Sequence, residues 1–289
     1  MKKLIVNWKI PYNLCNYRCH YCPVPHTLNV EKEWLNRTVE SLKRLPYMLG
    51  LVVETGGEPT ISPALMGAFA ELTSFQNVEF VNITSNIGLR REKLAEVLRK
   101  QDPAKFALDC TFHPTETSFD EFCGKISFLE ELGFLTIVHY VAHPRAVRDI
   151  PYYVEELEKI GVRLTINALA TRVDGKNAPE IYSADELALL KKYFFSEFQI
   201  RYDLMGESPL GKLCYSGAKS VLVDRQGGVY RCRIDRSVKL GTLADGFNLN
   251  DDATPCIKQL CRCPRDHLWL KEIDERIERT PCFRLYKQI

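Results

Sequence analysis

Six short apolar runs recur along the first 170 residues, each followed by a longer amphipathic stretch. They are "LIVNW" (4–8), "LVVET" (51–55), "VEFVNIT" (78–84), "KFALDCTF" (105–112), "TIVHYVA" (136–142) and "RLTINAL" (163–169). Several are apolar at consecutive positions, the pattern of parallel strands buried on both faces. The stretches between them carry helix punctuation. Ser62-Pro63 is an N-cap with proline at the first helical position, opening "ALMGAFAELT"; Ser118 with Glu121 and Ser183 with Glu186 have capping-box spacing; Gly133 and Gly161 stop helices just before the next strand. The prediction is an α/β fold: a six-strand parallel (βα)6 partial barrel over 1–204, since eight units would need about 250 residues.

After about residue 203 the texture changes. "SVLVDRQGGVYRC" predicts a β-hairpin turning at Gly227-Gly228; a cysteine-rich loop, "PCIKQLCRCP", and a charged helix, "LWLKEIDERIER", follow. Residues 205–289 therefore read as a small cysteine-rich β-hairpin/α domain that depends on metal.

Composition narrows the function classes. In 289 residues, 45% hydrophobic and 26% charged, a formal net charge of +2 gives no reason to expect a nucleic-acid partner. No apolar run is long enough for a membrane span, and the N-terminal "MKKLIVNWKI" lacks a signal-peptide core, so a cytoplasmic protein is expected. In a reducing compartment the 11 cysteines point to metal rather than to a disulfide framework.

Three of them, Cys15, Cys19 and Cys22, stand in "LCNYRCHYCP" just past the first strand, on the barrel edge where α/β folds place their chemistry. Three thiolates can hold three irons of a 4Fe–4S cluster and leave the fourth iron open. Spacing alone also admits a zinc ion completed by His20 or His26. After the second strand, Thr55-Gly56-Gly57-Glu58-Pro59 lets the backbone approach a ligand closely.

With CxxxCxxC, an aromatic residue (Tyr21) before the last cysteine, and GGEP after the next strand, the chain resembles the radical S-adenosylmethionine (SAM) superfamily. The resemblance implies a partial barrel, a 4Fe–4S cluster on Cys15, Cys19 and Cys22, and SAM chelating its free iron. Gly56, Gly57 and Glu58 would line the methionine end. Ser85 and Asn86 at the third strand's end, Asp109 and Thr111 on one face of the fourth, and Asn167 on the sixth would face SAM or substrate. Ser85-Asn86 reads equally as a turn or helix cap. His113 is a candidate acid or base beside a structural reading; His139 and His143 are weaker candidates. An electron donor such as a flavodoxin or ferredoxin is implied.

The later cysteines resemble the half-sized "twitch" form of the SPASM domain, which carries one auxiliary 4Fe–4S cluster. Cys214 and Cys232 flank the hairpin, and two more ligands come from Cys256, Cys261 and Cys263, with a zinc ribbon as the alternative. Cys110 has two readings: a small buried apolar residue, or, with Cys123 and Cys282, a thiol hydrogen donor of the kind epimerases in the family need. The function expected is hydrogen abstraction from a substrate C–H bond, leading to oxidation, epimerisation or rearrangement of a small molecule of sugar or aminocyclitol type. A ribosomal peptide substrate, or a non-catalytic iron–sulfur electron carrier, is the alternative.

Overall fold

A computed structural model describes residues 1–169, 171–194, 196–234, 236–261 and 269–271. Cys263, Cys282 and most of the charged helix expected near the C-terminus lie outside the described residues.

Strand and helix alternate through the first two thirds: β1 (Lys2–Lys9), α1 (Lys32–Lys43), β2 (Tyr47–Glu54), α2 (Pro63–Thr73), β3 (Val78–Ser85), α3 (Arg91–Leu98), β4 (Phe106–Phe112), α4 (Phe119–Glu131), β5 (Leu135–Ala142), α5 (Ile150–Lys159), β6 (Leu164–Ala168) and α6 (Ala184–Tyr193). Six strands pair in parallel in the order β1-β2-β3-β4-β5-β6. The caps act locally as the residue types dictate. Ser62 accepts from the Leu65 amide at 3.3 Å, and Ser183 with Glu186 closes a full capping box. At Ser118 only half of the box forms, because Glu121 turns to Lys125 Nζ at 2.7 Å.

The remaining strands are β7 (Leu213–Cys214), β8 (Ser220–Val223), β9 (Gly228–Tyr230), β10 (Lys239–Thr242), β11 (Gly246–Phe247) and β12 (Thr254–Pro255). The hairpin expected at Gly227-Gly228 is β8–β9, with Gly227 at φ 78°. It differs from the expectation of a self-contained small unit in one respect. β8 pairs in parallel with β1, so the hairpin prolongs the main sheet to ten strands, β11-β10-β9-β8-β1-β2-β3-β4-β5-β6. The physical reason is edge protection: β8 takes up the backbone groups that β1 would otherwise present at an open edge.

Alternation sorts the strand residues into two faces. One face packs under the helices in a large apolar core that includes Trp8, Phe69, Leu108, Cys110 and Phe112. The other carries three layers. Ile5, Val52, Phe80, Ala107 and Ile137 form an apolar floor, against which Trp269 packs. Two residues further along the strands come Asn7, Asn82, Asp109 and His139, all buried. Two further still are Lys9, Thr84, Thr111 and Val141. Flat strands at about 4.8 Å spacing would hold β1 and β6 about 24 Å apart. One cavity of about 450 Å³ is nonetheless lined by Cys15, just beyond β1, and by Asn167 of β6, so the sheet curls around it.

Among the described residues no helix is long and apolar enough to cross a membrane. Beyond β6, a π-helical turn, Ile200–Leu204, leads to a surface ion cluster. Arg201 grips Glu207 through two hydrogen bonds of 2.5 Å, and Lys212 bonds both Glu207 and the Tyr202 hydroxyl.

Two outcomes are expected. Phe112 is 3% exposed and meets Phe122 and Tyr153 at 5.1 Å between ring centroids. Phe112→Ala should lower the unfolding free energy by about 3–5 kcal/mol in urea titration. Hydrogen bonds from Arg201, then Lys212, hold the Glu207 carboxyl at about 2 against its ordinary 4.5. Its contribution is present above pH 4.5 and is lost as pH falls from 4.5 towards 2. The stability gap between wild type and Glu207→Gln should close over that window, read from urea midpoints.

Candidate functional site: a thiol loop over the open end of the sheet

The loop after β1 is tied back on itself. Asn13 accepts from the Thr27 and Leu28 amides and donates its own amide to the Leu28 carbonyl. Arg18 donates to the carbonyls of Cys15 and Tyr17 at 2.6 and 2.9 Å and meets His26 Nδ1 at 2.8 Å. The loop thereby holds Cys15, Cys19 and Cys22 over the cavity, which all three line.

The glycine turn docks on this loop by backbone alone. The Gly56 amide donates to the Tyr12 carbonyl and the Glu58 amide to the Leu14 carbonyl, both at 2.8 Å. A Cβ on Gly57 would lie 2.0 Å from the Leu14 oxygen, so only glycine allows the approach. Glu58 is fully buried. Its carboxylate accepts from the Thr60 amide and hydroxyl, the Ser85 hydroxyl and the Asn86 amide. Burial pushes this carboxyl up, and the four hydrogen bonds pull it back. Glu58 therefore lines the cavity while its oxygens pin the ends of β2 and β3 together. Ser85 is committed to the same knot. Asn86 donates to Asn16 Oδ1 at 2.9 Å and approaches Cys15 Sγ at 3.6 Å.

The other expected residues divide. Tyr21, Gly56, Gly57, Thr111, His113 and Asn167 line the cavity. His113 Nδ1 lies 2.6 Å from the Tyr21 hydroxyl and 3.5 Å from Cys19 Sγ, and burial lowers its pKa to about 4. Asp109 is wholly buried one layer deeper, outside the cavity lining. It accepts from Asn82 at 3.1 Å and faces His139 at 3.7 Å. His139 in turn meets the Asn167 amide at 3.3 Å. Cys110 lies on the opposite face of β4, inside the helix-side core, and Cys123 packs at that core's margin on α4; neither reaches the cavity. His143 and His20 contact each other as rings 5.2 Å apart at the rim.

Several lining or supporting residues went unnoticed in the sequence: Asn13, Arg18, Asp203, Arg233 and the turn Ile87-Gly88. Ile87 adopts φ 44°, a costly conformation for a β-branched side chain. A Cβ on Gly88 would strike Asn16 and Tyr17. The legible signal was "SNIG", an Asn and a Gly straight after a strand.

A second group of thiols gathers at the far end of the chain. β7 pairs with β12, and the buried Arg231 guanidinium bonds the carbonyls of Ser216, Thr254 and Pro255. Cys214, Cys232, Cys256 and Cys261 all line one small cavity there.

Cys15, Cys19, Cys22, Cys110, Cys123, Cys214 and Cys256 are free thiols. No three Cys, His, Asp or Glu side chains among the described residues are gathered tightly enough to hold a single metal ion. His26 is engaged by Arg18, and His20 is exposed. The donor set nevertheless fits an iron–sulfur cluster: three thiols on one loop beside a cavity of small-molecule size. Burial raises the Cys15 thiol and pushes that of Cys19 to about 11. Such thiols become thiolates when a metal takes the proton's place.

Gly57→Ala should break the seam between turn and loop. Its expected signature is a lower melting temperature together with lost iron uptake, whereas Gly67→Ala, inside α2 where a Cβ would meet nothing within 4 Å, should keep iron uptake and not lower the melting temperature.

The fold has solved counterparts. A histidine-tagged anSMEcpe with bound AdoMet superposes with a TM-score of 0.59 at 16% identity, covering 93% of this chain and 82% of that one. Native anSMEcpe with bound AdoMet and Cp18Cys peptide gives 0.58 at 16%, covering 97% and 87%. Streptococcus suis SuiB bound to S-adenosylmethionine gives 0.56 at 14%, covering 84% and 64%. At these identities the likeness is one of fold. No curated protein matches the chain by sequence. Residues 9–128, from the end of β1 into α4, match the Radical SAM superfamily model, and the thiol loop and the glycine turn both lie within that matched segment.

Proposed function

We propose that this chain is a radical SAM enzyme whose catalytic 4Fe–4S cluster is held by Cys15, Cys19 and Cys22. The observation that carries it is the shared cavity: the three thiols, the Gly56-Gly57-Glu58 turn and the ends of β3, β4 and β6 line one space of about 450 Å³. When bound, cluster and SAM supply a one-electron reductive cleavage that yields a 5′-deoxyadenosyl radical able to take hydrogen from a substrate C–H bond.

The chain's own residues position and shield. The loop's internal hydrogen bonds fix the spacing of the thiols. Glu58 locks the rim. Tyr21 and His113, with rings 6.0 Å apart, wall the cavity beside Cys19. Thr111 and Asn167 present polar groups from β4 and β6, where SAM or substrate oxygens would be received. Asp109 acts one step removed, through His139 and Asn167.

We further propose one auxiliary 4Fe–4S cluster on Cys214, Cys232, Cys256 and Cys261. Their common cavity supports this set, and it makes residues 1–204 the catalytic core and 205–289 the auxiliary part. The reaction class is oxidation, epimerisation or rearrangement of a small molecule of sugar or aminocyclitol type. A chain with 11 cysteines set for metal fits a reducing, cytoplasmic setting with a flavodoxin or ferredoxin as donor. A peptide substrate is the second reading, favoured by the fold's likeness to anSMEcpe with bound Cp18Cys peptide.

Anaerobic reconstitution should load about eight irons per chain and produce 5′-deoxyadenosine from SAM under reduction. Replacing Cys15, Cys19 and Cys22 by Ala should leave about four irons and abolish 5′-deoxyadenosine. Iron uptake without SAM cleavage by the wild type would leave an electron carrier, and zinc in place of iron would reject both.

A further inference from the structure

A buried cation stands in the wall of the second thiol cavity. Arg231 follows β9 directly and is 7% exposed. Its Nε donates to the Ser216 carbonyl at 3.2 Å, and its two terminal nitrogens donate to the Pro255 and Thr254 carbonyls at 2.9 Å each. All three acceptors are neutral. Among the described residues no carboxylate lies within ion-pair distance of Arg231. None lines the cavity either, where Arg231 stands with Cys214, Cys232, Cys256 and Cys261.

The same side chain gathers the segments that carry the thiols. Arg231 adjoins Cys232; its acceptor Ser216 lies two residues past Cys214, and its acceptors Thr254 and Pro255 run straight into Cys256. A guanidinium has five N–H donors. The three carbonyls take three of them, which leaves one on each terminal nitrogen.

We propose that Arg231 is the counter-charge of this site: it balances the negative charge of the metal–thiolate centre held there and raises that centre's reduction potential. The proposal rests on the auxiliary-cluster reading of the same four thiols and adds what sets that cluster's redox poise.

Electrostatics carries the argument. A buried cation is stable where an anion meets it, and carbonyls satisfy its hydrogens without cancelling its charge. Neutral thiols supply no such anion. Four thiolates around a 4Fe–4S core do, because together they outweigh the charge of the core. Taking up an electron makes the centre more negative still, so a fixed cation beside it favours the reduced state. The two remaining N–H groups suit sulfur acceptors, and such hydrogen bonds act on the potential in the same direction. Lysine in this place would keep the charge but lose the planar fork that spans three carbonyls.

The test uses the full chain with Cys15, Cys19 and Cys22 replaced by Ala, so that anaerobic reconstitution loads the second site alone. Iron content and an EPR-monitored redox titration are read. If that chain fails to fold, the signal that SAM leaves unchanged is titrated in the fully loaded chain instead. Arg231→Gln should keep about four irons and make reduction at least tenfold less favourable, a midpoint about 59 mV lower for one electron. Arg231→Lys should recover at least half of that shift. An unchanged or higher midpoint in Arg231→Gln would overturn the proposal, and so would a midpoint in Arg231→Lys as low as that of Arg231→Gln. Where Arg231→Gln loads no iron, Arg231→Lys carries the test: about four irons supports the counter-charge, and failure of both variants to load overturns it in favour of the fork's shape alone. Zinc in place of iron in the parent chain would sink the auxiliary-cluster reading by itself. Arg231 would then stand as counter-charge to a zinc–thiolate centre if Arg231→Gln weakened zinc at least tenfold, and would fall if zinc affinity were unchanged. A parent chain that holds neither metal at this site would remove both.

Discussion

The structure depends on a backbone-to-backbone contact. Gly56 and Glu58 donate their amides to Tyr12 and Leu14, and Gly57 lies so close to Leu14 that no side chain fits between them. A loop of about 20 residues with three thiols has no hydrophobic core of its own to fix its shape. Its own hydrogen bonds tie it back on itself, and the turn after β2, itself fixed to β3 through Glu58, Ser85 and Asn86, seats it on the sheet. The order of dependence therefore runs from parallel sheet to rim, from rim to loop, and from loop to thiol spacing.

The layering of the sheet's inner face explains why the cavity lies only at one end. The apolar floor, with Trp269 against it, fills the opposite end. Above it, Asn82, Asp109 and His139 form a buried polar stratum whose groups hold one another. Polar side chains exposed to a ligand begin only in the next stratum. A carboxylate such as Asp109 can stand one layer back from the cavity because buried charge is tolerated where polar partners surround it.

Much of this was legible because the chemistry is local. Strands buried on both faces leave apolar runs, so each of the six runs coincides with one of β1 to β6. β2 starts earlier than expected, because Gly50 obscures the apolar signal of its first half. The thiol loop and the GGEP turn are visible because spacing and glycine are sequence properties. Depth within the sheet is not such a property: Asp109 and Thr111 share a face by alternation, yet only Thr111 reaches the cavity. Cys110 could have been assigned outward by the same alternation that put its neighbours inward. The partnership of β8 with β1 was illegible, since nothing in "SVLVDRQGGVYRC" names the strand it joins. Arg233 was overlooked for the same reason, its meaning arising only once Glu54 is beside it.

That β1–β8 partnership has a consequence for how the chain comes to be folded. The Asn7 amide bonds the Ser220 hydroxyl across a separation of 213 residues. Synthesis proceeds from the N-terminus, so β1 emerges early and must wait for most of the polypeptide before its outer flank is covered. Throughout that interval a nascent chain displays a strand rim able to recruit neighbouring chains. Closing such a long loop is also slow. Shortened products ending before residue 220 would thus be the species most prone to clump, and β8 serves the first strand as a late-arriving guard.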